Sequence, residues 1–237
     1  MNAAYAVIFD MDGVLVDTYH AHYQSWLKMA EAEGLGFTEE EFAQTFGRTS
    51  REIIAHFWGT GYTDEQIAEL DDRKEEAFRR IIAADFPAMP GAHALLGRLH
   101  GAGFKLAVGS SGPPENVDLV LDRLGTRRLF DAVITATDVT RGKPDPQVFL
   151  LAAGRLGVPP ERCAVVEDAA PGIAAAEAAG MTSIGLTSTG RTAESLAAAE
   201  LVVGSLDELS VDVVRRLIEV NIEYRTRNIE VGRKSME

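Results

Sequence analysis

Asp10 and Asp12 sit one residue apart, directly after the apolar run Ala6-Val7-Ile8-Phe9. In an extended chain the period-2 alternation sends both carboxylates to one side. Two carboxylates that close repel unless a cation or a shared proton separates them. The chemistry they predict is that of a hard, oxygen-seeking cation such as Mg²⁺, with an anionic substrate on it. Similar polar groups follow later apolar runs: Ser110-Ser111 after Lys105–Gly109, Lys143-Pro144 after Ala132–Thr135, and Glu167-Asp168 after Cys163–Val166. Any one of these could be a solvated loop residue. Four at the same edge of one sheet predict a site.

The elements that must position these groups are legible as short β-prone runs. After Ala6–Phe9 they are Lys105–Gly109, Ala132–Thr135, Cys163–Val166, Thr182–Leu186 and Leu201–Val203. Helical spacing appears between them, in Val117, Val120, Leu121 and Leu124 and again in Phe149, Ala152, Ala153 and Leu156. Pro171–Ala179 opens with proline and stops before Gly180, as a helix does. Strands alternating with helices predict an α/β fold, a doubly wound parallel sheet with a Rossmann-like core. Residues 19–87 interrupt the alternation. Tyr19, Tyr23, Trp26 and Ala30 form one helical stripe there; Ile67, Leu70, Phe78 and Ile81 form another. We read residues 1–18 and 88–237 as the core and 19–87 as an inserted small helical domain. Thr18 and the stretch 87–91 serve as hinges. The charged stretch Asn221–Glu237 reads as a frayed helix or a tail.

Composition narrows the function. The 237 residues are 46% hydrophobic and 25% charged, as in an ordinary globular chain. A net charge of −13 argues against a nucleic-acid backbone as partner. It also requires local positive groups for any anionic substrate. No apolar run is long enough for a bilayer and no signal peptide is evident, so neither membrane nor export is expected and the location expected is cytoplasmic. The one cysteine, Cys163, opens a β-run and reads as a buried structural thiol. A monomer or weak homodimer is expected.

The segment Asp10-Met11-Asp12-Gly13-Val14-Leu15-Val16-Asp17-Thr18 resembles the nucleophile motif of the haloacid dehalogenase superfamily. The serine pair, Gly142-Lys143-Pro144 and Glu167-Asp168 resemble its other three motifs, in order. The insertion resembles the helical cap of the β-phosphoglucomutase-like branch. The resemblance implies that Asp10 attacks phosphorus to form an aspartyl-phosphate, and that Asp12 protonates the leaving group and then activates water. It implies that Lys143 offsets charge and that Ser110, with the backbone N–H groups of Ser111 and Gly112, holds the phosphoryl group. Mg²⁺ would be held by Asp10, Asp168 and the backbone carbonyl of Asp12, with Glu167 either ligating through water or orienting its neighbours. Gly13 would permit a tight backbone after the nucleophile.

In the cap, the resemblance implies substrate contacts from His22, from the specificity loop Gly47-Arg48-Thr49-Ser50-Arg51-Glu52 (with Arg48 or Arg51 reaching a phosphate) and from Lys74. Lys74 keeps two readings: a snorkelling lysine that covers apolar surface, or a cation that meets the substrate. In sugar phosphomutases a lysine precedes the loop glycine. Here Phe46 does, and the Ser-Arg-Glu triplet stands one residue further on. The reading reached is a Mg²⁺-dependent phosphatase of a small phosphorylated metabolite, with a sugar phosphomutase as the alternative. Asp12 argues against haloacid dehalogenation, because dehalogenases of this superfamily lack that second aspartate.

Overall fold

The computed structural model describes residues 4–46 and 49–234, with the side chains of residues 228–234 left aside. Six strands form one sheet: β1 (Ala6–Phe9), β2 (Lys105–Gly109), β3 (Ala132–Ile134), β4 (Cys163–Glu167), β5 (Thr182–Leu186) and β6 (Leu201–Val203). Their order is β3-β2-β1-β4-β5-β6, and every pairing is parallel. β1 is central and all four of its residues are fully buried. That is why it reads as an unbroken apolar run: both of its faces are covered by helices. Phe9 stands in register with Val108 on one side and Val166 on the other. The chain runs outward from β1 through β2 to β3, then returns to place β4 against the other edge of β1. The sheet therefore has its topological switch point between β1 and β4, and the crevice beyond their carboxyl ends is where such sheets bind ligands.

The chain divides into two compact units, residues 17–87 and residues 1–16 with 88–237. The first is all helical among its described residues: α1 (Tyr19–Ala32), α2 (Glu39–Thr45), α3 (Ser50–Trp58) and α4 (Asp64–Ala84). Its core joins Trp26, Met29, Phe37, Phe42, Ile53, Ile54 and Leu70. Three of its helices open with the same device. Thr38 with Glu41, Thr49 with Glu52, and Thr63 with Gln66 each form a capping box, in which two backbone donors at a helix start are satisfied reciprocally. The second stripe differs from its sequence reading. The buried positions of α4 are Leu70, Lys74, Phe78 and Ile82, each one turn apart, while Ile67 and Ile81 are partly exposed. Adjacent isoleucines at 81 and 82 left the phase of the stripe ambiguous.

The second unit carries α5 (Ala92–Gly101), α6 (Pro114–Leu124), α7 (Gln147–Leu156), α8 (Ala170–Ala178) and α9 (Val211–Lys234) around the sheet. Prolines at the first turns of α6 and α8, and Gly125 and Gly157 in the left-handed region after α6 and α7, set these boundaries. One core cluster runs from Ile8 and Val165 on the strands to Val148, Phe149 and Ala152 on α7 and Ala175 and Ala176 on α8. Cys163 is buried within it, and burial pushes its thiol up to about 12. The C-terminal stretch continues α9 as helix through Lys234. No helix of the described residues is long and apolar enough to cross a membrane.

Candidate active site

The carboxyl ends of β1 and β4 bring three carboxylates together. Asp10 follows β1 immediately, its N–H donating to the Val166 carbonyl at 2.9 Å, so the pairing with β4 continues one residue past the strand. Glu167 ends β4 and Asp168 follows it. One carboxylate oxygen from each of Asp10, Glu167 and Asp168 lies within 4.8 Å of the others, and all three residues are buried. Such a cluster of hard oxygen donors fits a small divalent cation. The Asp12 carboxylate is not part of this cluster. The loop after β2 stands near it, since a Cβ placed on Gly112 would lie 3.9 Å from Asp12 Oδ2 and 3.3 Å from Ser110 Oγ.

Lys143 reaches the cluster from the loop after β3, ahead of a cis peptide to Pro144. Its Nζ donates to Asp10 Oδ1 at 2.7 Å and to Glu167 Oε1 at 2.6 Å. Its ammonium lies 4.9 Å from the centre of the Phe149 ring. Glu167 Oε2 accepts the Ala169 N–H at 2.8 Å, so both of its oxygens have donors. Asp168 Oδ2 accepts from Ser188 Oγ at 2.8 Å and lies 3.5 Å from Arg191 Nε.

The electrostatics follow from burial and crowding. Burial lifts the Asp10 pKa well above the usual carboxylate range; Lys143 opposes the rise, and Glu167, Asp12 and Asp168 add to it. Asp168 is pushed up to about 6, by burial first and by Glu167 second, with Arg191 and Ser188 pulling it down. For Lys143 burial works against the charge, but Asp10 and Glu167 outweigh it and the ammonium is held charged. The site thus concentrates negative charge that its own cations offset only in part.

Two glycines make room for these groups. Gly13 has φ +73°, and a Cβ there would stand 2.1 Å from Asp168 Oδ2. A Cβ on Gly172, in the first turn of α8, would stand 1.8 Å from Glu167 Oε1. Neither position has space for any side chain.

Ser110 is fully buried after β2, with its N–H on the Ile134 carbonyl and its Oγ accepting the Gly112 N–H at 3.0 Å. Ser111 is exposed between them.

In the helical unit His22 and Lys74 come together. Lys74 Nζ lies 3.0 Å from His22 Nδ1 and 2.6 Å from Glu75 Oε1. It also lies 5.6 Å from the Trp26 ring centre and 5.8 Å from that of Phe78. The His22 ring stacks on Phe78 at 4.2 Å. Lys74 is only 4% exposed, so its head does not snorkel into water. Gly47 and Arg48 lie outside the described residues. Thr49 through Glu52 form a helix start rather than a loop, because the capping box of α3 takes Thr49 as cap and Glu52 as its reciprocal partner. Ser50 Oγ donates to Asp71, and Arg51 pairs with Asp64 at 2.7 Å. Phe46 packs on Tyr19 and Phe42, with ring centres 5.1 and 5.2 Å away.

Ser188 and Arg191 were not singled out in the sequence. The signal available was their place after the fifth β-run, whose end must share the same sheet edge.

A parallel sheet in the order 3-2-1-4-5-6, with an acidic cluster and a lysine at its switch point, defines an α/β enzyme scaffold. Residues 5–180 match the haloacid dehalogenase-like hydrolase family, and the chain belongs to that family. It is 34% identical to the β-phosphoglucomutase of Bacillus subtilis (strain 168) over 94% of this chain and 97% of that one. It is 32% identical to a phosphorylated carbohydrates phosphatase of Thermotoga maritima over 74% of this chain and 82% of that one. Among solved structures it resembles a β-phosphoglucomutase from Clostridium difficile, with a TM-score of 0.82, 28% identity and coverage of 92% and 99% of the two chains. Its relatives thus include both phosphatases and phosphomutases.

Proposed function

We propose that this protein is a Mg²⁺-dependent phosphatase of a small phosphorylated metabolite, of the sugar phosphate kind. The observation that carries the proposal is the Lys143 bridge. One ammonium holds Asp10 Oδ1 and Glu167 Oε1 together at the switch point of the sheet. Such an arrangement aims Asp10 and favours its charged form against the burial that disfavours it. A carboxylate so held is suited to nucleophilic attack.

In this reading an Asp10 oxygen forms a bond to phosphorus as the ester P–O bond breaks. Asp12 gives its proton to the departing alkoxide oxygen. Lys143 and the Ser110–Gly112 segment face the charge on the phosphoryl oxygens. A water molecule then attacks phosphorus and loses its proton to Asp12, releasing phosphate and restoring Asp10. Asp10 and Asp168 would hold Mg²⁺ with the Asp12 carbonyl, and the ion would shield the phosphoryl charge from the carboxylates. Glu167, with both oxygens engaged, would orient Lys143. The helical unit would act as the cap that selects the substrate, through His22, Lys74 and Arg51.

A second reading, a sugar phosphomutase, is favoured by the similarity to β-phosphoglucomutase across 94% of the chain. The two differ in what accepts the phosphoryl group from Asp10: water or a sugar hydroxyl. Phe46 supports the hydrolase. It stands where the mutases place a lysine, and it is spent on the aromatic packing of Tyr19 and Phe42. A panel of sugar phosphates, including β-glucose 1-phosphate, decides the matter. Phosphate release without a bisphosphate activator supports the phosphatase; glucose 6-phosphate formation without phosphate release supports the mutase.

A further inference from the structure

The charge pattern around the acidic cluster is divided between two cations. Lys143 serves Asp10 and Glu167. Asp168 is served by the loop after β5. There a turn returns the Arg191 N–H to the Ser188 carbonyl at 3.0 Å, with Gly190 at φ +79°. The turn delivers two side chains to one oxygen. Ser188 Oγ hydrogen-bonds Asp168 Oδ2 at 2.8 Å. Arg191 Nε stands 3.5 Å from the same atom, with the arginine side chain 19% exposed. A charge-assisted hydrogen bond would be shorter, about 2.7–2.9 Å. Arg191 therefore sets a positive charge beside the carboxylate, while Ser188 fixes its orientation.

We infer that Arg191 is a resident counter-cation of Asp168, a positioning residue that sets how tightly the acidic cluster takes its divalent ion. The inference rests on the metal reading given above. A guanidinium and a metal ion that share one buried carboxylate repel each other, so the guanidinium weakens metal binding. With the metal absent, it offsets the repulsion among Asp10, Glu167 and Asp168 and keeps the site folded and oriented. The two roles have opposite signs. Removing the charge must tighten metal binding and loosen the metal-free protein. A residue that only packed the loop would weaken both.

The test is calorimetric titration of the purified full chain with Mg²⁺ alone, without substrate, alongside melting in EDTA. The neutral variants Arg191→Met and Arg191→Gln should bind Mg²⁺ about three- to tenfold more tightly than the parent chain. They should also melt lower in EDTA. Arg191→Lys, which keeps the charge, should stay within about twofold of the parent in Kd. Two neutral variants are used so that a folding defect in one leaves the test intact. Mg²⁺ affinity unchanged or weakened in the neutral variants, or tightened equally in Arg191→Lys, overturns the inference and leaves the phosphatase reading standing. A parent chain that takes no Mg²⁺ overturns both.

Discussion

Each of the two units holds one lysine that is largely withdrawn from solvent, and the two are held differently. Lys143 meets two carboxylates from adjacent parallel strands, at 2.7 and 2.6 Å. Lys74 meets one carboxylate, its own neighbour Glu75, and completes its surroundings with the His22 ring and the faces of Trp26 and Phe78. The first lysine is placed by sheet topology. Its partners follow β1 and end β4, two strands paired in parallel register, so a slip of either one would part them. The second is placed by helix packing, on a stripe of α4 set one turn apart. A parallel sheet locks a charge constellation in place. A helix stripe is set by side-chain packing within its own unit rather than by backbone pairing between strands. The difference teaches where chemistry and where selectivity are most readily housed, and each prediction below probes one side of it.

The largest effect is expected at the strand edge. Asp10→Asn removes the proposed nucleophile while nearly preserving shape. Turnover should fall by about three orders of magnitude or more, with the fold intact by circular dichroism. Substantial residual rate in pure protein would shift the chemistry elsewhere. Lys143→Met should also abolish most activity and, unlike Asp10→Asn, destabilise the fold. It leaves Asp10 and Glu167 buried without their cation, a loss of about 3–5 kcal/mol. Denaturant unfolding checks this, and an unchanged midpoint would mean that the bridge contributes little.

On the helical side the effect should be selective. Lys74→Met should lower kcat/KM for a true metabolite by about tenfold and leave a small aryl phosphate nearly unaffected, because binding energy realised in the closed state is lost. If Lys74 only packs against Trp26 and Phe78, the variant melts lower and the ratio between the two substrates stays constant. Measuring both quantities separates the two outcomes.

A smaller effect should appear with pH. Asp168 is raised to about 6, so its ionised form burdens the fold above that pH. The burden fades as pH falls and vanishes below the ordinary carboxylate range, where the group is protonated folded or unfolded. A cation that binds the ionised form relieves the burden. Mg²⁺ should therefore raise the melting temperature more near neutral pH than near about pH 5. An equal increment at both would place the ion elsewhere.

Much of the fold was legible before any coordinate. The runs 105–109, 182–186 and 201–203 match β2, β5 and β6, because short β-prone runs between helical stretches mark the strands of such a sheet. Asp10, Glu167 and Asp168 stand out as polar residues at the ends of β-runs, and Lys143 as a lysine in the Gly-Lys-Pro loop that follows one. The misses have physical causes. Ile81 and Ile82 are both apolar, so only packing decides which is buried. Thr49–Glu52 looks like a polar loop, yet Thr-x-x-Glu is also a helix-start device, and it recurs in this unit at Thr38–Glu41. Arg191 gave no local sign, since it reaches Asp168, the residue after β4, only through a turn after β5 that composition does not reveal.

The central claim is covalent: the phosphoryl group passes through Asp10. Asp12→Asn should slow hydrolysis of the intermediate while an aryl phosphate, whose leaving group needs no proton, still phosphorylates the enzyme. Acid quench followed by peptide mass mapping should then find one phosphoryl group on the peptide that carries Asp10. Release of the aryl alcohol with that peptide unmodified, or with the phosphoryl group on another residue, would contradict the account.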